Sequence, residues 1–369
     1  MKTRREVLTG AGALTLAACA TPAPTPERQH TRPLAIAHRG CSGERPEHTI
    51  GGYKLAIAYG ADFIEPDCVI TKDGVLVVRH ENEISQTTDI AAHPEFAARR
   101  TTKVVDGQKL DGWFTEDFTL VELRTLRCKE RLPQIRPQNT AYDGQEPIPT
   151  LQDVIDLAKA ETAARGRTIG IYPETKHSTY FNKIGLPLEG RLLETLNKAG
   201  WTEKTSPVFI QSFEVKNLQA LRSQTRVRLI QLVTGEGGPA DGGVSYSERL
   251  TPAGLKEIAR YADGIGAEKN LIIPRASDQS WLKPTTLVND AHTAGLQVHA
   301  WTFRIENTFL PRELRLGDPR SDTYAREHGD IKSELLKFFD LGIDGFFSDN
   351  SHEAVLIRDY FAARGRLTP

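Results

Sequence analysis

Gly60-Ala61-Asp62-Phe63-Ile64-Glu65-Pro66-Asp67 is the stretch from which the architecture can be read. Residues 62–67 read as a strand, and Pro66 marks its terminus because proline donates nothing to a central ladder. Strand alternation places Glu65 and Asp67 on one face, two residue rises apart. Immediately upstream, residues 50–59 carry the spacing of a helix, and Gly60 follows it where a left-handed C-terminal cap is needed. Before that helix, residues 34–38 (Leu-Ala-Ile-Ala-His) read as another strand. The unit is therefore strand, helix, strand, and its second strand ends in two carboxylates.

The same unit repeats to the end of the chain. Candidate strands lie at 34–38, 62–67, 168–174, 207–211, 227–233, 263–267, 296–301 and 344–348, with helical stretches at 50–59, 151–164, 188–199, 215–223, 252–261, 284–294, 331–341 and 351–363. Gly60, Gly166, Gly200, Gly295 and Gly342 each close a helical run. Alternation of this kind specifies a parallel sheet, and eight such strands close most simply as an α/β TIM (βα)8 barrel. Two stretches break the rhythm. The run 75–78 predicts a hairpin strand off the second stave. Residues 81–149 after it read as an insertion without sustained strand pattern, a small lid with short helical pieces such as the capping-box start Thr119-Leu120-Val121-Glu122. Residues 304–329, rich in charge and proline, form a long loop after the seventh strand. Both would emerge at the C-terminal face, where barrels of this kind carry their sites.

The chain of 369 residues divides into an export signal with lipobox at 1–19, a proline-rich tether at 20–32 and a barrel domain at 33–369. Lys2, Arg4 and Arg5 precede an uncharged run ending in Leu16-Ala17-Ala18-Cys19, too short for a bilayer core that needs about 20 apolar residues. Thr3-Arg4-Arg5-Glu6-Val7-Leu8 resembles a twin-arginine signal, and Leu-Ala-Ala-Cys resembles a bacterial lipobox with Cys19 as the lipidated residue. A plain signal peptide is the alternative. The expectation is an exported bacterial protein, periplasmic or anchored as a lipoprotein facing the periplasm or cell surface, touching membrane only through lipid. With 47 basic against 48 acidic residues and a formal charge of −1, no global field draws the chain onto nucleic acid. If Cys19 carries lipid, Cys41, Cys68 and Cys128 remain, an odd number; export would permit one bridge among them, and Cys41 and Cys68 lie next to the first two strand ends.

Chemistry gathers at the strand ends. His38-Arg39-Gly40 closes the first strand with a proton-transfer group beside a guanidinium fork suited to phosphate. Glu174 ends the third strand as Glu65 and Asp67 end the second, and Lys176 points the same way. Three acids from neighbouring staves repel one another unless a cation lies among them, so a bound divalent ion is the economical reading. Hard cations such as Ca²⁺ and Mg²⁺ take oxygen ligands of this kind. His80 ends the 75–78 run, and two imidazoles on opposite sides of a phosphorus centre supply the base and the acid that cleavage of a phosphodiester requires.

The ordered set His38-Arg39-Gly40, Pro46-Glu47-His48-Thr49, Gly60 to Asp67, Thr71-Lys72-Asp73-Gly74, Val78-Arg79-His80, Tyr172-Pro173-Glu174-Thr175-Lys176, Ile210-Gln211-Ser212-Phe213, His299-Ala300-Trp301-Thr302 and Gly342 to Asp349 resembles the glycerophosphodiester phosphodiesterase family, in its larger exported form. That resemblance implies a TIM barrel that hydrolyses small glycerophosphodiesters to sn-glycerol 3-phosphate and an alcohol. It implies Glu65, Asp67 and Glu174 as ligands of one divalent cation, Ca²⁺ first and Mg²⁺ second. His38 and His80 become the acid/base pair, Arg39 and Lys176 phosphate ligands, and Glu47 the residue that orients Arg39 or His38. Glu81 stands where the family usually has aspartate. Phe213, Trp301 and Phe303 are candidates for an apolar wall against the glycerol carbons, with barrel-core packing the alternative for Phe213. The attacking oxygen belongs either to water or to the neighbouring glycerol hydroxyl. A related barrel phospholipase acting on intact lipid would show an apolar rim, whereas the two long loops are mainly polar. An inactive barrel used for adhesion would have lost a site residue, and all are present.

Overall fold

Pro66 interrupts a stave rather than ending it, and the same happens one stave further on at Pro173. In the computed structural model, which describes residues 32–364, the strands are β1 Leu34–Ala37, β2 Phe63–Ile64, β3 Asp67–Ile70, β4 Leu76–Val78, β5 Thr101–Val105, β6 Gln108–Gly112, β7 Gly170–Ile171, β8 Glu174–Thr175, β9 Phe209–Ser212, β10 Arg228–Val233, β11 Gly264–Glu268, β12 Gln297–Phe303 and β13 Gly345–Ser348. The export signal with Cys19, and the tether up to residue 31, lie outside the described residues.

β2 and β3 are two halves of the second stave, and β7 and β8 two halves of the third. Phe63 pairs with Gly170 and Ile64 with Ile171, and beyond the prolines Asp67 pairs with Glu174, so the register survives the break. The missing proline N–H is what the ladder gives up there. β8 pairs with β9, the order continues through β10, β11, β12 and β13, and β13 returns to β1, which pairs with β2. All of these pairings are parallel, so the eight staves form a closed ring, as the strand–helix repeat predicts. β4 lies antiparallel on β3, the expected hairpin.

The helices pack outside and start and stop where their sequences say. Thr150 caps Leu151–Arg165 with a reciprocal Asp153 capping box. Gly60, Gly166, Gly200, Gly295 and Gly342 all have positive φ, between 62° and 100°. The helix expected from 284 begins instead at Leu287. Inside the ring, Ile36, Phe63, Tyr172, Phe209, Ile230 and Phe347 form an apolar plug beneath the mouth. Gly170 is needed opposite Phe63, since a Cβ there would come within 2.2 Å of the ring. Among the described residues no helix is long and apolar enough to cross a membrane.

The insertion differs from expectation in two ways. It contains a β-hairpin, β5 and β6, turning through Asp106-Gly107, both at positive φ; an Asp-Gly pair flanked by β-formers favours this turn. It is also packed firmly against the barrel rather than lying over the cavity as a lid, because Ile84, Ile90, Phe96, Trp113, Phe118, Leu123 and Leu126 are buried in one apolar cluster with the barrel's own core. Arg79, fully buried, ties its beginning to the loop after β1 by donating to the Glu47 and His48 carbonyls at 3.1 and 2.8 Å. No bridge joins the three described cysteines. Cys41, Cys68 and Cys128 are buried free thiols, and burial pushes the pKa of Cys41 up to about 12, far from a reactive thiolate.

Candidate active site

Because every stave runs the same way, the residues that follow the strands collect at one rim. β1 delivers His38 and Arg39, the two broken staves deliver Glu65, Asp67, Glu174 and Lys176, and the β4 hairpin delivers His80. All of them line a single cavity of about 470 Å³. Phe213, Leu232, Trp301 and Phe309 face them across it.

The three carboxylates converge. Among the described residues, Glu65, Asp67 and Glu174 offer oxygens that all lie within 4.8 Å of one another. Each is also held from behind. Glu65 accepts from the Arg39 backbone N–H at 3.0 Å and from the Gln211 amide at 2.7 Å. Asp67 Oδ2 meets His48 Nε2 at 3.0 Å, and Glu174 Oε1 accepts from Lys176 Nζ at 2.8 Å. Burial, then the negative charges of Asp67 and Glu174, push Glu65 well above the usual carboxylate range. Burial lifts Glu174 to about 7 in spite of Lys176. Burial would raise Asp67 as well, but Lys176 and His48 hold it well below. Asp67 Oδ1 is buried without a hydrogen-bond partner. An all-oxygen donor set with crowded charge and an orphaned oxygen fits a hard divalent cation.

The imidazoles are arranged alike. His38 Nδ1 bonds Asp349 Oδ1 at 2.6 Å, which leaves Nε2 toward the cavity, 3.9 Å from Glu65 Oε2. His80 Nδ1 bonds Glu81, so aspartate at that position is not required for the contact. Burial, with Arg39 adding to it, lowers His38 to about 4, and burial with Arg39 and Lys176 lowers His80 to about 3. Arg39, at φ 57°, turns its side chain over the acids, with Nη1 on Glu47 Oε2 at 3.0 Å and Nε 3.7 Å from Asp67. Glu47 therefore backs Arg39 and not His38.

Phe213 and Trp301 meet edge to face at 5.9 Å on the opposite wall, so Phe213 belongs to the cavity and not only to the core. Phe303 does not line it. Its ring is fully buried between Phe338 and Phe346 behind β12. The sequence reading missed Asp349, Gln211, Arg131, Arg136 and Arg304. Asp349 had a signal: it follows the eighth strand, which neighbours the first in a closed ring. Arg131 and Arg136 had none, lying in the insertion far from their partners in sequence.

The sequence model of the glycerophosphoryl diester phosphodiesterase family matches residues 38–353. A glycerophosphodiester phosphodiesterase of Arabidopsis thaliana is 38% identical over 87% of this chain and 84% of its own length. One from Haemophilus influenzae is 29% identical over 73% and 79%. Among solved structures, an Oleispira antarctica phosphodiesterase in complex with the product sn-glycerol-3-phosphate superposes with a TM-score of 0.57 at 22% identity, over 89% of this chain and 97% of that one.

Proposed function

The chain belongs to the glycerophosphoryl diester phosphodiesterase family, and from that premise we propose that it hydrolyses small glycerophosphodiesters to sn-glycerol 3-phosphate and an alcohol. The observation that carries the reading is the meeting of two carboxylate-held imidazoles and three converging acids around one cavity.

In the proposed reaction an oxygen nucleophile, from water or the adjacent glycerol hydroxyl, forms a bond to phosphorus while the bond to the alcohol oxygen breaks. Where the hydroxyl attacks, the product is a cyclic phosphate, and a water then adds to phosphorus as one ring P–O bond breaks to give glycerol 3-phosphate. One imidazole takes the proton of the attacking oxygen at Nε2, and the other delivers a proton to the departing alkoxide. Burial keeps both rings neutral near pH 7, the form a base needs. A bound phosphodiester anion favours the imidazolium of the ring beside the leaving oxygen. Arg39 and Lys176 orient the phosphate, and Phe213 with Trp301 excludes water from the glycerol carbons. Glu65, Asp67 and Glu174 would hold one divalent cation, Ca²⁺ before Mg²⁺, which when bound polarises a phosphoryl oxygen and offsets the charge of the transition state.

Release of glycerol 3-phosphate from glycerophosphocholine tests this directly. His38→Ala, and wild type stripped by chelator, should each lose activity on the order of 10² or more. Undiminished release by both would sink the reading. The proposal extends to location through the first residues: the chain is exported and anchored by lipid on Cys19, and Cys19→Ser should abolish incorporation of labelled fatty acid, whereas continued labelling would refute the anchor.

A further inference from the structure

We infer that the insertion acts as a strut that sets both imidazoles, through two arginines five positions apart, Arg131 and Arg136. Each imidazole presents its Nε2 to the cavity because a carboxylate holds its Nδ1, and an arginine of the insertion holds each of those carboxylates in turn.

For His80 the chain of contacts runs through Glu81. Arg131 donates to both Glu81 oxygens, at 3.1 and 2.5 Å, and to both Glu47 oxygens, at 2.7 Å each. Glu47 is the acid behind Arg39. One guanidinium thus fixes the partner of an acid/base group and the partner of a phosphate ligand, using the planar fork that a lysine lacks. For His38 the chain runs through Asp349. Arg136 donates from Nη2 to Asp349 Oδ2 at 2.7 Å, and it is braced from Nε on Glu306 at 2.6 Å and from Nη1 on the Ser42 carbonyl at 2.9 Å. Arg304, from the loop after the seventh stave, meets the same Asp349 oxygen at 2.7 Å.

The physical effect is orientational. A carboxylate that keeps its charge and its rotamer fixes the tautomer and the ring plane of the imidazole bonded to it. Burial would raise Asp349, yet Arg304 and Arg136 hold it well below the usual range. The guanidinium groups also compensate the cost of burying these acids, since a buried carboxylate without a partner is strongly unfavourable. Neither Arg131 nor Arg136 lines the main cavity beside the three acids, so both are positioning residues.

The inference rests on His80 and His38 being the acid/base pair, and its test separates the two. Steady-state kinetics on glycerophosphocholine, Ca²⁺ titration calorimetry and thermal unfolding are measured for Arg131→Ala, Arg131→Lys, Glu81→Gln, Arg131→Ala with Glu81→Gln, and His80→Ala. The expected result for Arg131→Ala is a kcat lower by about 10- to 100-fold, as for other groups that orient a site residue from behind. Ca²⁺ affinity should change far less than kcat, because Arg131 bonds Glu47 and Glu81 and none of the three converging acids. Arg131→Lys should recover part of the loss, since one ammonium can serve one acid. In the Glu81→Gln background Arg131→Ala should cost clearly less than in wild type, the remainder being its hold on Glu47, because residues acting as a unit are not additive. Independent, additive losses from Arg131 and Glu81, or an unchanged kcat in both folded Arg131 variants, would overturn the strut. An active His80→Ala would instead overturn the functional reading beneath it.

Discussion

His38 and His80 at the mouth, and His48 and His299 in the scaffold, are the same chemical group, three of them buried and His80 partly exposed, yet only the first pair faces a space where a ligand fits. His48 spends both nitrogens on the fold, Nδ1 on the Tyr53 hydroxyl at 2.7 Å and Nε2 on Asp67 at 3.0 Å. His299 meets the Tyr172 hydroxyl at 2.7 Å, and its Nε2 is buried with no partner against the plug of aromatic rings. Burial lowers His299 to about 4, the same place as His38. A displaced pKa therefore does not mark the site by itself. What marks it is a carboxylate on one nitrogen and open cavity at the other, and the ring of staves supplies that only at its C-terminal rim.

If mouth and plug are separate in this sense, stability and catalysis should come apart on mutation. Phe209 stacks on Tyr172 at 5.1 Å and meets Phe63 and His299 edge-on, each at 5.2 Å, and lies fully buried at the centre of the plug. Phe209→Ala should cost about 3–5 kcal/mol by urea unfolding, the transfer and cavity cost of a buried aromatic. Below its unfolding transition the variant should keep kcat within about twofold of wild type, since no group on the reacting atoms is lost. A large fall in kcat in the folded variant would show that the plug holds the acids in place and that the two regions are one.

The comparison also separates what the sequence reveals from what it hides. Stave ends were legible because each rests on a local pattern: an apolar run, a helix of regular period, a glycine at its close. Glu65, Asp67 and Glu174 were legible as the acids around those positions, although residues 65 and 66 fall in the break between β2 and β3 and it is the ladder register beyond the prolines that sets Asp67 beside Glu174. The continuation of two staves past Pro66 and Pro173 was not legible, because it depends on which neighbour supplies the ladder. The hairpin at 101–112 was missed although Asp106-Gly107 announced it, as its strands are largely exposed and lack an apolar face. The backing of the imidazoles was hidden for a different reason. Arg131 lies 84 positions from Glu47 and Arg136 lies 213 from Asp349, and no periodicity connects residues that only the closed ring brings together.

A smaller effect sharpens the contrast through pH. His299 has its folded pKa depressed from 6.5 to about 4 by burial, so between those values the unfolded chain binds a proton that the folded chain refuses. Stability then rises with pH across that window, is complete above about 6.5 and is lost as the pH falls toward 4. His38 and His80 are depressed too and add to the same slope, which makes the plug and the mouth indistinguishable by acid sensitivity alone. His299→Gln removes one of these groups while keeping an acceptor for the Tyr172 hydroxyl. Urea unfolding at a series of pH values from 4 to 6.5 should show the slope of stability against pH reduced by about one proton. The rate of glycerol 3-phosphate release at pH 7 should stay within about twofold of wild type, because His299 has no face on the cavity. An unaltered slope would mean that His299 takes up its proton in the folded state, and a collapsed rate would mean that the imidazole inside the ring is coupled to the pair above it.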